Sequence, residues 1–120
     1  MTAETKTQYP PEIDAVPAEK LSAYGDFQDT RDAMQIGDVR VSVQASRTHY
    51  CTPRVNGLKL SEYLAVEVAL LLDGELVTPK QIGIDGLPGH WDHDTVAGYV
   101  THSDVAEIIR QLNERSSSQA

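Results

Sequence analysis

Cysteine, long apolar runs and basic charge are all scarce in this chain of 120 residues, and each scarcity excludes something. Cys51 is the one cysteine, so no internal disulfide can staple the fold, and a reducing compartment, the cytoplasm, is the expected location. The longest unbroken apolar run is Val68 to Leu72, and Met1 to Tyr9 has no apolar core behind a basic start. Neither a spanning helix nor a secretory leader is expected. Ten Lys and Arg stand against eighteen Asp and Glu, a formal charge of -8. That balance argues against direct binding to nucleic acid or to an anionic membrane, both of which need clustered cations. No phosphate-cradling glycine loop, serine nucleophile elbow or zinc-finger cysteine spacing occurs, and no catalytic residue is assigned.

The pattern that is present reads as α+β: a small antiparallel sheet of three to four strands with a C-terminal amphipathic helix packed on one face. Residues 1–18, with Pro10, Pro11 and Pro17 among polar neighbours, read as a disordered arm. Residues 19–34 read as weakly ordered, because Gly25 interrupts the spacing of Leu21, Tyr24 and Phe27. The domain is then expected over 35–113, followed by a disordered tail at 114–120 rich in serine. Val39, Val41, Val43 and Ala45 alternate with polar residues, the signature of a strand with one buried face. Leu58 to Leu72 fits a helix or a strand by periodicity. Its run into Asp73-Gly74 favours the strand, in a hairpin that pairs Leu72 with Glu75, Leu71 with Leu76 and Leu70 with Val77. Thr78-Pro79 suits the start of a short helical turn. Thr101 and Asp104 form an approximate capping box ahead of the stripe Val105, Ile108, Ile109 and Leu112. With a helix on one face only, the other face would expose Tyr63, Ala65, Leu71 and Leu76, which invites a partner or a second copy of the chain.

Chemistry-bearing residues gather in two loops. In Ser46 to Gly57, Arg47, His49 and Arg54, joined by Arg40 from the preceding strand, make a basic island suited to phosphate or carboxylate. Cys51 beside His49 and Arg54 raises a nucleophile, but no third group orients a base, so a buried or incidental thiol is the simpler expectation. In Gly86 to Thr95, His90, Asp92 and His93 have donor types that zinc or manganese accepts, without the helical i,i+4 geometry that makes HExxH specific. A divalent metal at His90 and His93 is the one cofactor candidate. The bland alternative is a surface turn anchored by Trp91. Tyr50, Asp85, Trp91, Asp92 and Asp94 are candidate partner contacts.

The stretch ASRTHYCTPR, followed by SEYLAVEVALLLDG and GYVTHSDV, resembles short uncharacterised proteins of phages, prophages and plasmids over about residues 35–112. The resemblance implies a mobile-element accessory product, a class that includes inhibitors of host defence, and it carries over no functional residue. The expected function is a non-enzymatic protein-binding module, directed at a host protein or a nucleic-acid-handling complex. As an acidic mimic it would use Asp85, Asp92, Asp94 and Glu107. The alternatives are a small metal- or anion-dependent enzyme and a small-ligand sensor that uses the Arg/His loop.

Overall fold

A computed structural model describes residues 9–21, 25, 27–91 and 95–118. In chain order the elements are α1 (Pro11–Asp14), β1 (Glu19–Leu21), β2 (Phe27–Asp29), β3 (Met34–Ile36), β4 (Val39–Gln44), β5 (Ala65–Leu72), β6 (Glu75–Val77), β7 (Val96–Thr101) and α2 (His102–Ser118). Short 3-10 turns lie at Leu60–Glu62 and Lys80–Ile82. β1 and β2 form a separate two-stranded ribbon. The other strands make a five-stranded antiparallel sheet in which β3, β4 and β5 are successive neighbours, and the far edge of β5 is shared by β7 and β6.

β-branched side chains explain why the centre of this sheet forms where it does, since they lose little freedom on a pleated surface. Val41 pairs with Leu70 and Val43 with Val68, and these four side chains together with Val39 and Val66 are no more than 1% exposed. α2 covers this inner face through Val105, Ile108 and Leu112, all buried. Each such side chain removed from water contributes roughly 1.5–3 kcal/mol. Asp73 and Gly74 both take positive φ, as the two-residue turn requires. The resulting register, Leu70 with Val77, Leu71 with Leu76 and Leu72 with Glu75, is the one the sequence predicts. The Thr101 hydroxyl accepts the Asp104 amide at 3.3 Å, closing the helix start. At the Thr78-Pro79 corner, Thr78 and Gln81 cap each other reciprocally. No helix among the described residues is long and apolar enough to cross a membrane.

Towards both ends the described residues are more integrated than the sequence suggests, while residues 1–8 and 119–120 of the expected disordered arm and tail lie outside the described residues. The sequence predicts disorder over residues 9–18, yet Tyr9 and Ile13 are buried with the core. The His102 ring explains the attachment. Its Nε2 lies 2.6 Å from the Tyr63 carbonyl, which can only accept, so in the neutral ring Nδ1 accepts the Tyr9 hydroxyl at 2.7 Å. The segment 19–34, read as weakly ordered, supplies β1, β2 and β3. α2 continues past Asn113 to Ser118 because Arg115 reaches the Ile82 carbonyl at 2.9 Å and Asp38 at 2.5 Å. Gly37, at φ 64, also abuts the helix: a Cβ there would lie 2.6 Å from the Ser116 hydroxyl. Arg115 holds the Asp38 carboxyl below its usual 3.8. Stability from this exposed pair is therefore present above that value and is lost as pH falls through the lower folded-state value. The melting-temperature gap between wild type and Asp38→Asn is expected to be small at neutral pH and to close in strong acid. A gap that widens on acidification would contradict the pairing.

Among the described residues no helix lies over the opposite face of the sheet. Arg40, Ser42, Glu67, Ala69 and Leu71 alternate with the core valines and so point outward. Tyr63 and Ala65, expected on this face from the sequence, are instead buried. The Tyr63 hydroxyl turns inward to donate to the Val55 carbonyl at 2.5 Å, and Thr52 bridges Ala65. Leu71 is half-buried and Leu76 is 49% exposed.

Candidate functional site on the outer sheet face

A β-bulge organises this face. Val66 pairs with Val100 and Val68 with Ala97, so Gly98 and Tyr99 together oppose the single residue Glu67. Within the bulge Tyr99 takes φ 56, a left-handed conformation ordinarily left to glycine. A non-glycine residue in that region costs about 1–2 kcal/mol. Gly98 has a different task. Its missing side chain admits Tyr50, whose Cβ would lie 2.8 Å from a Cβ at position 98. Two further bonds lock Tyr50 over the bulge: its amide donates to Glu67 Oε2 at 3.0 Å and its carbonyl accepts the Tyr99 amide at 2.9 Å. The two tyrosine rings stand 6.2 Å apart, tilted by 40°, and both remain more than half exposed. Beside them, Tyr50, His90, Thr95, Val96, Gly98 and Tyr99 line an open groove of about 580 Å³.

The cations of the predicted basic island have different surroundings. Arg54 stacks over Tyr50, its guanidinium carbon 5.5 Å from the ring centroid. Arg40 lies opposite Leu71 while the Tyr50 anchor Glu67 lies opposite Gln44. Four strand residues, about 13 Å, therefore separate the two ends of the face. Arg47 sits on the exposed loop, with its amide bonded to Asn56. His49 turns inward, Nδ1 lying 2.6 Å from the Ser46 hydroxyl. Burial pulls its pKa below the usual 6.5, opposed by the Glu67 carboxylate.

Beneath the island lies a buried polar web rather than a reactive centre. Arg31, 5% exposed, donates to the Ala45 and Leu58 carbonyls at 3.0 and 2.8 Å, and its backbone is bracketed by the Gln44 amide. Asp29 accepts the Gly57 amide at 2.7 Å. Ser46 is fully buried, so its hydroxyl supports His49 and cannot touch a substrate. Cys51 is 1% exposed and donates to the Ser46 carbonyl at 3.1 Å. Burial raises its pKa above the usual 9.0, which keeps the thiol protonated and unreactive. A maleimide is expected to modify native Cys51 at least about a hundredfold more slowly than the urea-unfolded chain. Equal rates would put the thiol at the surface.

The second loop is divided. Trp91, a candidate partner contact from the sequence, is instead buried, with its indole N–H donating to the Pro88 carbonyl at 2.7 Å. It anchors the loop and lines a separate groove of about 430 Å³ with Asp85, Lys80 and Ile84. Asp85 and His90 are exposed. Asp92, His93 and Asp94 lie outside the described residues, and with them most of the metal candidate. Among the described residues, no group of three or more His, Cys, Asp or Glu is placed to hold a metal ion. Glu107, from the acidic-mimic set, is bonded to Arg110 and Gln111 on α2. Sequence reasoning singled out Tyr50 and His90 but missed Tyr99, Glu67 and Val96. The available signal was Gly98 inside a strand, which marks a bulge or a close approach. No protein-family model, curated protein or solved structure matches the chain.

Proposed function

We propose that the protein is a non-enzymatic protein-recognition module whose binding surface is the outer sheet face around Tyr50 and Tyr99. The observation that carries this reading is the strained, exposed Tyr99, locked beside an equally exposed Tyr50 on a face over which no helix lies among the described residues. Tyrosine and arginine on a rigid scaffold are the residue types that dominate interface energetics, because they supply area with little loss of conformational freedom. Leu71, Leu76, Ala69 and Val96 extend the apolar ground beside them. Strain of this kind, kept on a surface where a glycine would relieve it, fits a side chain retained for contact rather than for folding. A host-directed inhibitor from a mobile element is one role such a module would serve.

Tyr99→Gly separates the two roles. It is expected to leave stability unchanged or to raise it by up to about 1 kcal/mol, while weakening recognition. A loss of more than about 1 kcal/mol in a urea melt would make Tyr99 a folding residue. Recognition itself is tested by immobilising wild type, Tyr50→Ser/Tyr99→Ser and Glu107→Gln proteins and quantifying what each retains from the producing cell. Capture by wild type and Glu107→Gln, lost in the tyrosine variant, supports the reading. Identical retention on all three contradicts it.

A further inference from the structure

We infer that the occupant of this face is an extended acidic segment of another protein, laid along β5 with carboxylates at both ends of an apolar strip. The inference rests on the outer face being the recognition surface and adds the chemistry of the partner. Its basis is an inversion of charge. The chain carries eighteen acidic residues against ten basic ones, so an exposed arginine has carboxylates to spare within its own molecule. Arg110 takes Glu107 and Glu114, and Arg115 takes Asp38. Arg40 and Arg54, both exposed, pair with no carboxylate among the described residues. Among the described residues the acidic side chain central to the face is Glu67, which accepts the Tyr50 amide. Among the described residues the outer face thus sets two arginines against one glutamate on a molecule that is anionic as a whole, and the charge complement of such a face is acidic.

Geometry narrows the shape. Arg40 marks the Leu71–Leu76 end and Arg54 marks the Tyr50–Tyr99 end. In an extended segment, residues i, i+2 and i+4 point to one side and span about 13 Å. Acidic residues at i and i+4 with an apolar residue at i+2 would therefore meet the two arginines and rest on Ala69 and Val96. A second copy of the chain fits less well. Each copy brings a net charge of -8, and self-repulsion opposes their approach.

The test is display selection. A library of random twelve-residue peptides is panned on the full chain, with Tyr50→Ser/Tyr99→Ser protein as counter-selection, and enriched peptides are titrated by fluorescence anisotropy. The expected consensus is acidic-x-apolar-x-acidic. Affinity is expected to fall about tenfold or more in Arg40→Glu/Arg54→Glu, to be largely kept in Arg54→Lys, and to weaken from low to high salt. Tyrosine-dependent peptides with a neutral or basic consensus would overturn the acidic inference and leave the recognition surface standing. Failure to enrich any tyrosine-dependent peptide would overturn both. A concentration-dependent dimer in light scattering, abolished by the tyrosine substitutions, would assign the face to a second copy and also overturn the inference.

Discussion

Arg31→Met is expected to destabilise the protein by about 3 kcal/mol or more, the largest effect of any single substitution considered. The guanidinium is buried and holds the Ala45 and Leu58 carbonyls at 3.0 and 2.8 Å. It thereby ties the end of β4 to the far side of the long loop. Burial draws its pKa below the usual 12.5, yet a guanidinium shifted down from that value is still charged at neutral pH. Methionine fills similar length but leaves both carbonyls without a donor, and each orphaned buried group costs about 1–3 kcal/mol. Asp29 also loses the electrostatic attraction of Arg31: it is 1% exposed, and Oδ1 has no hydrogen-bond partner among the described residues. A urea melt of Arg31→Met measures the loss. A change within about 0.5 kcal/mol, the range of an ordinary surface substitution, would remove Arg31 from the framework.

The second large effect concerns binding. Tyr50→Ser/Tyr99→Ser is expected to reduce affinity for a selected peptide by at least about thirtyfold, the loss of one or more interface hot spots. Stability should change little, since both rings are more than half exposed and removing Tyr99 does not tighten its backbone. The combination is diagnostic. A folding residue would move the melt and affinity together, whereas these two should move affinity alone. Anisotropy titration beside a thermal melt distinguishes the two outcomes, and equal affinity in wild type and variant would contradict the role.

The contrast between Arg31 and Tyr99 also shows what could be read from the sequence. The central strands and α2 were legible because their signals are short-range and periodic: alternating valines, an Asp-Gly turn, and a threonine cap before an apolar stripe. β1, β2 and β3 carry three residues each, too few for a period to emerge. Their order comes from distant partners, as where Gln44 brackets Arg31 and His102 captures Tyr9. Pairings across 13 or 93 residues leave no local trace. The same holds for the candidate site. Tyr50 stood out as an aromatic residue in a long loop, but Tyr99 looked like an ordinary strand residue. Only the two-against-one register opposite Glu67 puts it in the left-handed region and beside Tyr50. The basic island was visible as composition, whereas its division into exposed Arg40 and Arg54 and an inward His49 depends on the fold.

Backbone amide shift mapping with a peptide selected by display tests the recognition surface most directly. Titration into labelled full-length protein is expected to move the amides of Tyr50, Arg54, Glu67, Ala69, Leu71 and Tyr99, leaving the exposed side of α2 and the Trp91 groove still. Shifts centred on Asp85, Lys80 and Trp91, or on Glu107 and Arg110, with the Tyr50–Tyr99 amides unmoved, would place recognition elsewhere on the molecule.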